Sequence, residues 1–325
     1  MGAKITVKEY TELEGHKQGV YALIHLRGTS TIVSGGGDGA VVKWDLNFAY
    51  SERDGVSNVE FKDDQVMRSQ NSRASVEGVL FAQLPEPIFC LMQGADDAIW
   101  AGTQGGWLFK LDVGAPPRMV KLGPHAVFFV SEWLDGRIAV GLGNGELVFL
   151  NNELQELDRK LLGRKSLRCC LGNRGLIGGS DGLIWQLNDK GEVLGTWQGN
   201  QPSVFCLALD AMGDVVSGGR DALLRWMDKH GGLRQEVKAH LYTIHALIGT
   251  DLGWMASGSM DKTVKIWDGV DGILLKVIDR AKYPGRGHSH AVNALCQLPL
   301  PQDSGSRRLL ASAGDDKIIR VWVVG

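Results

Sequence analysis

Ser257–Asp268, SGSMDKTVKIWD, constrains this chain most: a short strand ending in small residues, a tight turn carrying an aspartate, then a strand alternating towards a tryptophan. The same arrangement returns at Ser34–Asp45 (SGGGDGAVVKWD), Ser217–Asp228 (SGGRDALLRWMD) and Ser312–Val323 (SAGDDKIIRVWV), with the aspartate four residues after the serine each time. Three worn copies, Ala101–Asp112, Val140–Asn151 and Ile177–Asn188, keep the glycine, the turn and the alternating strand but lose the polar signature. The seven copies begin at 34, 101, 140, 177, 217, 257 and 312, so four of the six steps fall between 37 and 40 residues. A fixed period of that length marks an array of small units, none of which buries its apolar face alone.

A Gly-His upstream and a Trp-Asp downstream at this period form the pattern of a four-stranded propeller blade. At these residues the chain resembles the WD-repeat family, over essentially all of its 325 residues. The compact layout looks most like the uncharacterised single-domain WD-repeat proteins of bacteria. The resemblance implies an all-β fold, a seven-bladed β-propeller spanning residues 1–325 as one domain. Lys4–Glu12 alternate apolar and polar ahead of the first copy, and the last copy stops just past its third strand. The N-terminal strand is therefore expected to complete the last blade, removing the exposed edges that invite aggregation. Glycine, at 44 of 325 residues, is about twice its usual share and suits a chain of tight turns.

The charge balance excludes some functions. A net charge of −2 gives no global field for nucleic acid or an acidic membrane. Five cysteines without paired spacing read as neither a disulfide framework nor a zinc site. Cys90, Cys169, Cys206 and Cys296 fall in first strands of repeats, at or near positions held elsewhere by Ala22, Ala246 and Ala294, and read as small core residues. No apolar run reaches membrane-spanning length and no signal peptide is present, so a soluble, cytoplasmic protein is expected, a monomer or a component of a larger complex. Met1–Thr6 fit a myristoylation pattern, but they lead into the strand that ring closure needs.

Three stretches exceed the period. Residues 47–75 are polar and weakly periodic, a loop or excursion after the third strand of blade one that is either functional or a surface decoration. Residues 280–287 gather Arg280, Lys282, Tyr283 and Arg286 on the face of the aspartate turns, while 298–308 read as a loop facing the other way.

Blades one, six and seven carry a full polar set: His16, Ser34, Asp38 and Trp44; His240, Ser257, Asp261 and Trp267; His288, Ser312, Asp316 and Trp322. The resemblance implies that each set forms a hydrogen-bonded relay. Indole N–H only donates, ionised aspartate only accepts, and His and Ser do both, so four buried groups can satisfy one another. A catalytic triad would not need three copies with one spacing. Blade five substitutes Asn200 and Met227, and blades two to four lose most of the set.

Counting from the histidine site, position plus four is always aliphatic: Val20, Ile88, Val127, Leu167, Val204, Ile244 and Val292. Position plus five, on the other face of an alternating strand, holds Tyr21, Phe89, Phe128, Arg168, Phe205, His245 and Asn293. In WD-repeat proteins this position, the one two residues before it and the residue before the turn aspartate commonly line the upper rim of the channel. Carried over, the resemblance adds Arg220, Met260 and Asp315. Aromatics with arginine in a concave patch have the composition of a binding hot spot, although the rings could instead fill gaps between blades.

Three functions compete. The leading one is an interaction scaffold that binds a peptide or loop of another protein on the upper rim, without metal or cofactor. The second is nucleic-acid or phosphate binding through Arg168, Arg220 and the 280–286 loop, which the near-neutral charge disfavours. The third is a catalytic propeller, for which the plus-five set offers only His245. Trp44-Asp45-Leu46-Asn47 and Trp267-Asp268-Gly269-Val270 lack the Trp-Asp-X-Arg tail of ubiquitin-ligase adaptors.

Overall fold

The computed structural model describes residues 5–46, 76, 78–300 and 307–325. Their strands form seven four-stranded antiparallel sheets. Blade one consists of Val20–His25, Thr31–Gly36, Ala40–Asp45 and Val79–Gln83, running from the channel outwards, and the next five blades repeat that order. Blade seven differs as the repeats require: Val292–Pro299, Arg308–Gly314 and Ile319–Val324 are joined by Val7–Leu13 from the start of the chain. Val7 pairs with Val324 and Leu13 with Ile319. Beyond that ladder the Thr6 and Gly325 backbones exchange hydrogen bonds of 2.7 and 3.2 Å. The chain is the closed, all-β, seven-bladed propeller that the repeats imply.

Seven apolar clusters fill the seven gaps between neighbouring blades. The plus-four residues anchor them, each at most 1% exposed. Fully burying such a side chain contributes about 1.5–3 kcal/mol, and ring closure lets every blade do so twice, once on each side. The repeated glycine of the second strand makes room for this contact. A Cβ on Gly35 would lie 2.7 Å from Ile88 Cγ2 of the next blade, one on Gly102 2.4 Å from Val127 Cγ1, and one on Gly258 2.7 Å from Val292 Cγ1.

Every inner strand also carries a β-bulge at one place. The register slips between Val20 and Ala22, Ile88 and Cys90, Val127 and Phe129, and at the equivalent pairs of the other four blades. The residue skipped is always the plus-five residue. A bulge leaves that residue out of the ladder and re-aims its side chain, and here it does so seven times around one axis.

The longest insertion, 47–75, lies outside the described residues. The excess at 298–308 is partly strand, a correction to its reading as a loop: Leu298 pairs with Leu309 and Pro299 with Arg308, so the excess lengthens a hairpin. Residues 301–306 lie outside the described residues.

Candidate functional site

The second-to-third strand turns and the loops that enter each inner strand meet at one end of the propeller, the upper face. The polar relays show this directly. In blade six His240 Nδ1 is 2.9 Å from Asp261 Oδ2 and Nε2 is 2.7 Å from Ser257 Oγ, while Trp267 Nε1 donates to the same Oγ at 2.8 Å. Blade one repeats the geometry at 3.1, 2.7 and 2.8 Å, and blade seven at 3.0, 2.9 and 3.3 Å. A neutral histidine with its proton on Nδ1 satisfies the whole chain: indole to Ser, Ser to His, His to Asp. Each aspartate also accepts a backbone N–H from the incoming loop, that of Lys17, Leu241 or Ser289. Burial alone would raise the Asp261 carboxyl, but bonds from His240, Thr263 and the Leu241 N–H outweigh it and hold it far below the ordinary range. Burial lowers His240 despite Asp261, keeping the ring neutral. These bonds lock turns to loops.

The plus-five residues form a continuous collar around the channel. The Tyr21 and Phe89 rings meet edge-on at 5.8 Å, and Phe89 stacks on Phe128 at 5.8 Å. The Arg168 guanidinium carbon lies 4.0 Å from the Phe128 ring centre and 4.5 Å from that of Phe205. Phe205 reaches His245 at 5.7 Å, and His245 Nδ1 lies 3.2 Å from Asn293 Oδ1. Asn293 Nδ2 donates to Asp315 Oδ1 at 2.6 Å, and Asp315 in turn neighbours Tyr21, whose hydroxyl burial and that carboxylate both push up. One residue from each blade thus reaches the next around the axis, the step from Asn293 to Tyr21 passing through Asp315 of blade seven. All seven are half-buried, so the rings neither stand free on a rim nor disappear into the core. Each lies in van der Waals contact with a neighbour and keeps a part open.

Three stretches match the family model for the WD domain, G-beta repeat: residues 7–45, 231–268 and 281–323. They contain all three complete relays and the strand that closes the ring. The chain carries WD40 repeats in these three places. Among curated proteins it is similar to Mitochondrial division protein 1 of Kluyveromyces lactis, 28% identical over 160 residues, which is 43% of this chain and 23% of that protein. It is also similar to Nuclear distribution protein PAC1 of Fusarium vanettenii, 31% identical over 137 residues, 39% of this chain and 29% of that protein. The chain thus matches less than a third of the length of either relative. The WD40 beta propeller domain of Doa1 superposes with a TM-score of 0.74 over 98% of this chain and 96% of that domain, at 15% identity, a likeness of fold alone.

Above the collar stand the other residues expected on the rim. Arg220, Met260 and Asp315 are exposed, each on the turn before its aspartate or, in blade seven, beside Asp316. Met260 has company that the repeat pattern did not single out: Leu241 is 76% and Tyr242 61% exposed in the facing loop, which the Met260 N–H bonds through the Thr243 carbonyl. Their signal was available, since two large apolar residues directly after the relay histidine face upward once that histidine is pinned to the turn.

The basic loop at 280–287 has a structural use. Tyr283 packs edge-on against Trp322 at 5.4 Å, and Arg286 pairs with Glu9 on the closing strand at 2.9 Å. At the opposite face, a cavity of about 720 Å³ opens at the lower ends of the inner strands, among residues such as His25, Met92, Glu132, Cys170 and Gln297, and no collar residue lines it. Of the cysteines of these strands, Cys206 and Cys296 are buried while Cys90, Cys169 and Cys170 are half-buried against the core; desolvation pushes the thiols of Cys90, Cys169 and Cys296 up to about 12. No cluster of metal-binding side chains occurs among the described residues.

Proposed function

We propose that this propeller is a protein-interaction scaffold whose upper face receives a peptide or loop of another protein. WD-repeat propellers are typical interaction scaffolds, and one observation carries the reading to this face. A continuous half-open collar of aromatic and polar side chains adjoins an exposed apolar patch at Leu241, Tyr242 and Met260. Large apolar side chains gathered on a soluble surface mark contact sites, and the aromatics are anchors whose burial on binding would be worth most. The relays hold the loops that carry the patch, so the surface is pre-organised and little ordering cost opposes binding. The nucleic-acid reading loses part of its basis, because Arg286 and Tyr283 are engaged with the closing strand and blade seven.

Site-specific photocrosslinking tests the assignment. A benzophenone amino acid at Tyr242 on the upper face should yield a discrete protein adduct in native lysate, and one at Leu134, in a lower-face turn, should not. Adducts from Leu134 alone, or equally from both, would move the contact surface away from the collar.

A further inference from the structure

The collar contains a cation without a counter-charge. Arg168 is half-buried between two phenyl rings, at 4.0 and 4.5 Å. Among the described residues no carboxylate lies within ion-pair reach of it, and no oxygen accepts a hydrogen bond from it. This is unlike Arg118, Arg137, Arg159 and Arg225, each paired with an Asp or Glu. Asp315, the carboxylate that bonds into the collar, is engaged by Asn293 of its own blade, three blades from Arg168. Aromatic faces compensate part of a buried positive charge, but they do not replace oxygen acceptors for five N–H donors. Burial accordingly lowers the Arg168 pKa from its ordinary value.

From this geometry we infer that the upper mouth recognises an acidic peptide segment, with the carboxylate of a partner Glu or Asp seated on Arg168 and an adjacent apolar residue on the Leu241–Tyr242 patch. The inference rests on the scaffold reading and adds the chemistry of the occupant. Arginine already occupies the faces of Phe128 and Phe205, so a Lys or Arg from a partner would meet a like charge where it would otherwise find an aromatic cage. A carboxylate gains instead, since a guanidinium fork and a carboxylate make paired, charge-assisted bonds. The half-closed collar keeps water from the pair and strengthens it. Arg220, exposed on the neighbouring blade, adds a second positive group that steers acidic segments to the mouth.

Selection of random dodecapeptides on the immobilised chain tests this, with enriched peptides then measured by fluorescence anisotropy. The expected result is enrichment of peptides with Glu or Asp beside an apolar residue. Binding should fall about tenfold or more with Arg168→Gln, a loss of the size expected for one charged pair. Arg168→Lys should retain part of the affinity and Arg220→Gln should lose a few-fold, while the melting temperature of each variant checks that the ring is intact. Acid-free peptides, or acidic ones bound equally by Arg168→Gln but lost with Tyr242→Ser, would overturn the inference and leave the scaffold reading standing. Peptides indifferent to all these changes, or no enrichment at all, would overturn both. Much tighter binding when phosphoserine replaces the peptide glutamate would reassign the mouth to phosphorylated segments.

Discussion

Blades five and six stand side by side, share the spacing from serine to aspartate, and hold those serines at the same register, both fully buried. In blade six Ser257 is the centre of the relay, bonded to His240 and Trp267. In blade five Ser217 Oγ has no partner. The tryptophan comes one residue earlier there, at Trp226, so its indole points to the other side and donates at 2.7 Å to the Gly269 carbonyl of blade six. Asn200 stands where the histidine would and reaches Asp221 at 2.8 Å, not the serine. Asp221 is held as well by the Gln201 N–H at 3.0 Å and by Arg225 at 2.6 Å, which also pairs with Glu236. The two sheets are equally complete. The signature therefore does not make the blade. Packing across the gaps makes it, and the polar set decides how tightly turn and loop are joined.

That difference orders the expected effects of mutation. The largest belongs to Asp261→Ala, which strips a buried acceptor from His240, the Leu241 N–H and Thr263, at a cost of about 3 kcal/mol in chemical denaturation. Asp221→Ala in blade five should cost about half as much, because Arg225 keeps Glu236 and is partly open to water. Equal losses would mean that the relay adds nothing beyond its aspartate.

Acid should separate the two blades further. The folded-state pKa of His240 lies below its unfolded value, so the unfolded chain takes up a proton first as pH falls below about 6.5. The stability contributed by the neutral ring is complete above that pH and declines beneath it. The carboxyls of Asp38, Asp261 and Asp316 are all depressed when folded. Their contribution is present above about pH 4 and is lost as pH falls further. His240→Asn, which imports the residue of blade five, should flatten the dependence of melting temperature on pH just below neutrality. An unchanged profile would show that His240 does not titrate differently on folding.

Much of this was legible in the chain itself. The seven copies, the aliphatic plus-four residues and the three relays were readable because each expresses a local requirement at fixed spacing: a turn, an inward side chain, a buried donor with its acceptor. The collar was legible as a set of residues but not as a shape. Strict alternation places plus-five on the back of plus-four, whereas the observed bulge re-aims it, and a bulge leaves no mark in residue type when its occupants range from Phe to Asn. Contacts between distant parts of the chain were also hidden. Lys110 is fully buried between Asp96 at 2.5 Å and the Asn152 carbonyl of the next blade at 2.9 Å. It reads in isolation as an ordinary polar position of a third strand. The 280–287 loop suggested a ligand by its charge, yet Arg286 meets Glu9, a partner that only ring closure brings near.

The smallest expected effect discriminates best, because one substitution at one register should act with opposite sign in neighbouring blades. Ser257→Ala removes the acceptor of the Trp267 indole and the donor to His240, leaving two buried groups unmatched, and should cost about 1–2 kcal/mol. Ser217→Ala removes a hydroxyl that is buried without a partner, so nothing is orphaned and a desolvated polar atom is relieved. The expected change lies between zero and a gain of about 1 kcal/mol. Denaturant midpoints of the two variants and the double mutant measure this, and additivity is expected because the serines share no hydrogen-bond partner. If Ser217→Ala is as destabilising as Ser257→Ala, the blade-five hydroxyl has a partner in solution, and the contrast between the blades disappears.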